Sequence, residues 1–200
     1  MKSGGSKRKR GLHFYRKKIK IKKGLFSEII EYFAIVAIVT FLAFVVVWFF
    51  FLRIPMVGDS MEPVLQSSQE VCINRLSYVV FNPKRGDVIA FLPKGNEKSH
   101  YYIKRVIGLP GETIEIKGGH IYIDGVLYED PYAVDATMDA GICANPLVLK
   151  DEEYFVLGDN RDYSEDSRSG NIGPVNKEFI YGKVWYKRKT ADQKGGLIRK

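Results

Sequence analysis

Residues 112–130 read ETIEIKGGHIYIDGVLYED, and apolar and polar side chains alternate along almost the whole stretch. A period of two is the repeat of a strand with one buried face, whereas a helix would repeat every 3.6 residues. Within it, IYI and VLY are separated only by Asp124-Gly125, a dipeptide that accepts the positive φ of a two-residue hairpin turn. The stretch therefore predicts antiparallel pairing between neighbouring strands.

The same signature extends in both directions. DVIAFL (87–92) is a β-rich apolar run behind Arg85-Gly86, and HYYIKRVIG (100–108) is another, closed by Leu109-Pro110-Gly111, where glycine suits a turn with φ > 0. Downstream, EEYFVLG (152–158) and YGKVWYK (181–187) bring the count to at least six strands, and no internal repeat is evident. Short strands at this spacing predict a mainly β, antiparallel domain over 54–187, with a partly closed, barrel-like sheet. Residues 188–200 read as a frayed polar end.

A different kind of sequence precedes the strands. The 200-residue chain carries a formal charge of +8, but residues 1–23 hold 11 Lys/Arg and no acid, leaving 20 basic and 23 acidic residues in the remainder. A basic tail on a slightly acidic body argues against a nucleic-acid groove, which needs its cations on the folded surface. Next, Tyr32–Leu52 runs 21 residues without a charge. At 1.5 Å per residue that covers about 31 Å, the thickness of a hydrocarbon core. A removable leader is shorter and ends at a small-x-small site. This run ends instead in Trp48-Phe-Phe-Phe-Leu52 and Arg53, so 24–53 reads as an uncleaved single-pass anchor with aromatics at one interface. The Lys/Arg excess predicts a cytoplasmic tail, attracted to anionic lipid, and an extracytoplasmic domain.

The two cysteines, Cys72 and Cys143, both fall in the proposed outer part, which permits a disulfide without requiring one. His13, His100 and His120 are scattered without ligand spacing, so no metal site is expected. The longest polar interruption is GDNRDYSEDSR (158–168), with four acids and two arginines. A solvated loop is its simplest reading. Asp162, Ser164 and Asp166 at alternate positions suggest a calcium loop, but the sixth and twelfth positions hold Ser167 and Gly173 where that motif wants glycine and glutamate.

GDSMEP (58–63) raises the chemical question. Ser60 between glycine and proline shapes a turn, and as a nucleophile it needs a partner to accept its proton. His100 is one candidate base. Lysine is the other, provided that burial lowers its pKa from about 10.4 to near 7–8, at a cost of about 3–4 kcal/mol. Lys104 fits that requirement best, because strand alternation places it with Tyr102 and Val106 on a flank free of carboxylates. A Ser-x-x-Lys string at Ser6–Lys9 matches another serine-lysine pattern, but it lies in the charged tail with nothing to form a pocket.

Together, GDSMEPVL (58–65), RGDVIAF (85–91), YYIKRVIGLPGE (101–112) and GDNRDYSEDSR (158–168) resemble, in order and spacing, the boxes of bacterial type I signal peptidases, and the single span preceding the serine box is similar to the one-span form of that family. The likeness covers about residues 33–186. It implies a membrane-bound endopeptidase that removes signal peptides from exported preproteins after a small-x-small motif, with no metal or organic cofactor. Ser60 is then the nucleophile and Lys104 the general base. The resemblance further implies that Ser164 orients the lysine amine, that Asp162, Asp166 and Arg168 support the loop by ion pairs, and that the Ser60 N–H donates to the oxyanion. Some members add a hydroxyl donor two residues before the nucleophile, where this chain has Gly58. Val64 replaces the usual threonine, and QSSQE (66–70) replaces a Gly-Asp pair. Met56, Val57, Leu65, Tyr102 and Ile103 flank the two central residues and are the candidates for lining shallow pockets that accept alternate side chains of an extended peptide. Two rival readings are a self-cleaving repressor, which would lack the anchor and carry a DNA-binding domain, and an inactive tethered β domain.

Overall fold

The computed structural model describes residues 23–50, 52–133, 136–191 and 194–198. Most of the basic tail therefore lies outside the described residues. The chain forms two compact units, residues 1–42 and 43–200.

The described part of the first unit is helical and belongs to α1 (Lys23–Phe50). Of this helix, Gly24–Phe50 is long and apolar enough to cross a membrane, its most apolar 18 residues having a mean hydropathy of 2.9. Its large apolar side chains are exposed on every side, the mark of a helix whose surroundings are hydrocarbon. Its serine and threonine hydroxyls are satisfied within the helix, Ser27 donating to the Gly24 carbonyl and Thr40 to that of Val36, as polar groups in lipid require.

The second unit is antiparallel β. In chain order its strands are β1 (Leu52–Pro55), β2 (Glu70–Asn74), β3 (Val88–Phe91), β4 (Tyr102–Gly108), β5 (Thr113–Lys117), β6 (His120–Ile123), β7 (Val126–Tyr128), β8 (Leu147–Val148), β9 (Glu153–Leu157), β10 (Val175–Asn176), β11 (Ile180–Lys187) and β12 (Gly196–Leu197). A four-residue helix, α2 (Ser77–Val80), follows β2. One sheet has the order β1-β2-β11-β3-β4-β9-β10, with β12 added beside β11; the other is β7-β6-β5-β8. The larger sheet curls into a half-barrel, so the mainly β, partly closed architecture expected from the strand pattern is the one observed.

Residues 112–130 form the β5-β6-β7 meander. Asp124 and Gly125 both have positive φ, 50° and 77°, the conformation that keeps a two-residue hairpin in twist with its strands. Gly118 and Gly119 (58° and 81°) make a second turn of the same kind between β5 and β6. Gly111, at 82°, closes the turn after β4.

The fold differs from the sequence expectation at its ends. The helix stops at Phe50, and Leu52–Pro55, assigned in part to the anchor, is an edge strand paired with β2. Among the described residues beyond 187, Arg188 and 196–198 are held by the domain. Arg188 N–H donates to the Glu70 carbonyl, the Gln69 amide donates to the Arg188 carbonyl, and Gly196–Leu197 pairs with Tyr186–Lys187. Ile198 packs on the core that contains Met56, Met61 and Leu65. A polar tail with only Leu197 and Ile198 apolar near its end carries too little pattern to announce such pairing.

Strand β4 is central, bonded to β3 on one side and β9 on the other, and buried from Ile103 to Gly108. β11 lies on the far side of β3, between β3 and β2, and at Gly182 the packing admits no side chain: a Cβ there would lie 2.7 Å from both the Asn74 carbonyl oxygen and Ile73 Cγ2. Gly182→Val is expected to force β2 from β11 and to lower the denaturation free energy by about 1–3 kcal/mol. Gly170→Val, where the nearest atom is 3.9 Å away, leaves the denaturation midpoint unchanged.

Candidate active site

Ser60 follows Gly58, whose φ is 76°. A Cβ on Gly58 would meet nothing within 4 Å, so it is the left-handed backbone conformation and not lack of room that favours glycine. The chain then tightens, with Glu62 N–H donating to the Asp59 carbonyl (3.1 Å) and Leu65 N–H to the Met61 carbonyl (2.8 Å). Met56, Met61 and Leu65, all buried, tie this turn to the core, where Ile103 of β4 also lies. Ser60 itself is 6 % exposed.

Lys104, opposite Ile89 in the β3–β4 register, is 4 % exposed, and its Nζ lies 2.5 Å from Ser60 Oγ. Burial is the largest influence on its ammonium and pulls the pKa down to about 8. The nearby carboxylates of Asp166, Glu165 and Asp159 pull the other way, and Arg168 assists the lowering. The flank free of carboxylates expected from strand alternation holds along β4 but not in space, because the 158–168 loop folds over the lysine. A buried amine that is neutral near pH 8 and touches a hydroxyl is able to take that hydroxyl's proton.

His100, the alternative base, is exposed and stacked on the Tyr102 ring at 4.8 Å, with no bond to Ser60. Cys72 and Cys143 are both buried free thiols, and burial raises the pKa of each.

The acidic loop is a clamp. Asn160 N–H donates to the Ser60 carbonyl (3.1 Å) and its side-chain amide reaches the Asp59 carbonyl (3.4 Å). Gly158 lies so close that a Cβ there would collide with the Ser60 carbonyl and the Ser164 hydroxyl. The Ser164 hydroxyl donates to Asp166 Oδ2 at 2.6 Å, where a bond to the Lys104 amine was expected. Asp166, 1 % exposed, also accepts from the Gly158 N–H and from the guanidinium of Arg168 at 2.8 and 3.0 Å. Arg168 continues to the carbonyls of Arg161 and Asp139. Asp162 is different: it is exposed and forms no side-chain ion pair or hydrogen bond among the described residues.

Several residues that hold the site were not singled out from sequence. Asp159 makes a fully buried, bidentate pair with Arg105 (2.7 and 2.7 Å), and Arg105 also donates to the Gly86 carbonyl and lies over the Tyr132 ring at 3.8 Å. Arg161 pairs with Asp130 and donates to Thr137 and to the Gly158 carbonyl. The available signal was the adjacency of Arg105 to Lys104 on an otherwise apolar strand. A buried arginine must be paired.

Of the proposed pocket residues, Met56, Leu65 and Ile103 are buried at 2 % or less and form the floor beneath the site. Val57, half exposed, and the partly buried Tyr102 reach the surface beside it. Tyr102 lies with its ring centroid 5.8 Å from Lys104 Nζ and donates to Glu165 at 3.3 Å.

Residues 29–187 match the family described as signal peptidase, peptidase S26. The chain belongs to that family. It is 36 % identical over 167 residues to "Signal peptidase I P" of Bacillus subtilis subsp. natto, covering 78 % of this chain and 86 % of that protein. Over 176 residues it is 31 % identical to "Signal peptidase IB" of Staphylococcus aureus strain COL, covering 80 % and 90 %. A solved signal peptidase I from Enterococcus faecalis V583 aligns with a TM-score of 0.41 and 32 % identity, over 52 % of this chain and 97 % of that one. As an S26 member with an apolar N-terminal helix, this protein is a membrane-anchored peptidase of signal peptides, and its substrates are preproteins that carry them.

The two acids Asp159 and Asp162 separate support from exposure. Asp159→Ala leaves the Arg105 guanidinium buried and unpaired and is expected to cost about 3–5 kcal/mol, measured by denaturant titration. Asp162→Ala, three residues away at an exposed position, leaves the midpoint within about 0.5 kcal/mol.

Proposed function

We propose that this S26 peptidase cleaves by a serine-lysine mechanism, with Ser60 as nucleophile and Lys104 as general base. The observation that carries the reading is the 2.5 Å contact between Ser60 Oγ and a lysine amine held near pKa 8 by burial. When the amine is neutral, the Ser60 hydroxyl donates to it, Oγ attacks the scissile carbonyl, and Lys104 takes the proton. The resulting ammonium returns that proton to the leaving amine, and water then hydrolyses the acyl-enzyme with the lysine again acting as base.

The Ser60 N–H donates to no group among the described residues, which suits it to the oxyanion. Gly58 supplies no side-chain donor. Asp166 and Arg168 hold the loop against the lysine, and Ser164 acts through Asp166. Val57 and Tyr102 contact the substrate from the surface, over the apolar floor of Met56, Leu65 and Ile103. Small residues at the first and third positions before the cut fit such shallow sites. The Lys/Arg excess of the tail supports a cytoplasmic N-terminus, with residues 54–187 outside. The mechanism calls for no metal or organic cofactor.

Cleavage of a secretory precursor by the detergent-solubilised protein tests the assignment. Ser60→Ala and Lys104→Ala are each expected to reduce kcat/KM by several orders of magnitude, and full activity in either variant overturns it. The parent's kcat/KM rises with pH through about 8, as the amine loses its proton.

The same lysine makes a stability prediction. Its folded pKa lies below the ordinary 10.5, so the unfolded chain binds the proton more tightly and folding pays the full penalty below pH 8. Lys104→Met is therefore expected to raise the unfolding free energy at pH 7 by about 3 kcal/mol, with the margin over the parent shrinking as pH rises from 8 to 10.5.

A further inference from the structure

The stretch QSSQE (66–70) takes no part in the chemistry, yet its Gln69 is fully buried. A buried amide must spend both its oxygen and its nitrogen on partners. Gln69 Oε1 accepts from the Gln66 N–H at 3.1 Å, inside the same turn, and Nε2 donates to the Arg188 carbonyl at 2.7 Å, 119 residues away. The side chain therefore joins two segments that the sequence keeps far apart.

One of these segments carries Ser60, and the other follows β11. Residues 56–69 connect β1 to β2 as an excursion from the sheet, closed at its base by the Met56 N–H donating to the Gln69 carbonyl (2.9 Å) and the Ser68 N–H to the Met56 carbonyl (2.8 Å). Ser60 lies on the outgoing arm, where Asn160 of the acidic loop holds its carbonyl. The returning arm is held from the other segment. Lys187 Nζ donates to the Val64 carbonyl at 2.7 Å, Thr190 Oγ1 to Gln66 Oε1 at 3.1 Å, and the Arg188 N–H to the Glu70 carbonyl at 2.9 Å. Ile198, brought back by the pairing of β12 with β11, packs on the cluster that contains Met56, Met61 and Leu65. Held by Asn160 alone, the excursion would keep the freedom to pivot about its base, and a second attachment on the returning arm removes it. Reacting atoms that drift by about 1 Å lose about 10²-fold in rate.

We propose that Gln69 and the segment following β11 position the nucleophile turn, setting Ser60 Oγ against Lys104 from the side opposite to the acidic loop's attachment in the chain. Gln69 is a positioning residue, acting through the turn without touching substrate. The proposal rests on Ser60 being the nucleophile.

The test measures kcat and KM on a secretory precursor with the full chain in detergent. Gln69→Met keeps the length of the side chain and removes both hydrogen bonds, and Ile198→Asp breaks the packing from the other segment. Ile121→Ala, a core truncation in the other sheet, is the reference for destabilisation alone. All variants are assayed at a temperature where their circular dichroism equals that of the parent. Gln69→Met and Ile198→Asp are each expected to lower kcat about tenfold with KM changed by less than about threefold, and the double variant to lose less than the product of the two, because both release one attachment. Ile121→Ala keeps the parent's kcat. Parental kcat in Gln69→Met and Ile198→Asp, beside an inactive Ser60→Ala, overturns this proposal alone. Full activity in Ser60→Ala overturns the nucleophile assignment and this proposal with it. A loss of kcat in Ile121→Ala equal to that in Gln69→Met also overturns it and assigns the effect to general loss of stability.

Discussion

The site rests on the buried pair between Arg105 and Asp159, because each partner is the immediate neighbour of something the chemistry uses. Arg105 follows Lys104 on β4, and Asp159 lies between Gly158 and Asn160, the two residues in closest touch with the Ser60 backbone. A fully buried guanidinium and carboxylate are tolerated only if both stay paired. Bidentate geometry then fixes the loop relative to the strand with little angular freedom. Fixing the loop fixes Asn160 against the Ser60 carbonyl, and so sets the serine turn against the lysine. Gly86 and Tyr132 supply the remaining contacts of Arg105, so the strand, the turn before β3 and the segment after β7 all meet at one side chain.

A second layer repeats this logic at the far end of the loop. Asp166 gathers the Ser164 hydroxyl, the Gly158 N–H and the Arg168 guanidinium, and Arg168 then spends its remaining donors on loop carbonyls. Arg161 closes the middle against Asp130 and Thr137. The composition of 158–168 reads as a solvated acidic loop, yet Asp159 and Asp166 and both arginines are buried and paired, while Asp162 and Glu165 stay outside. One composition thus contains two populations, separated by tertiary partners as distant as Asp130.

That separation marks what the sequence made legible. Period two and the Asp124-Gly125 turn located the meander, because register and turn chemistry are local. The apolar helix was equally plain. Ser60 and Lys104 emerged from a turn motif, a strand pattern and a family resemblance. The two-residue strands β8, β10 and β12 were not legible, because two residues cannot display a period, and the pairing of Gly196–Leu197 depends on an open edge of β11. Asp166 turns inward to Arg168 while Asp162 stays exposed, and adjacency in a loop does not say which carboxylate turns inward. The Ser164 hydroxyl bonds to Asp166 for the same reason: a loop serine finds the closest acceptor, and only the fold decides which that is.

Lys104 also shows how a site can hold acids and still lower an amine's pKa. Three carboxylates face it, and isolated in a buried site each would favour the ammonium. Two of them, Asp159 and Asp166, are bound bidentately by Arg105 and Arg168, and the Arg168 charge offsets part of the pull of Asp166 on the lysine. The third, Glu165, is exposed and still favours the ammonium, but less than burial disfavours it. The loss of hydration around Nζ outweighs what the acids still contribute. The arginines thus have two roles that are physically one. By neutralising the loop's acids they allow the loop to be buried, and burying the loop is what dries the lysine.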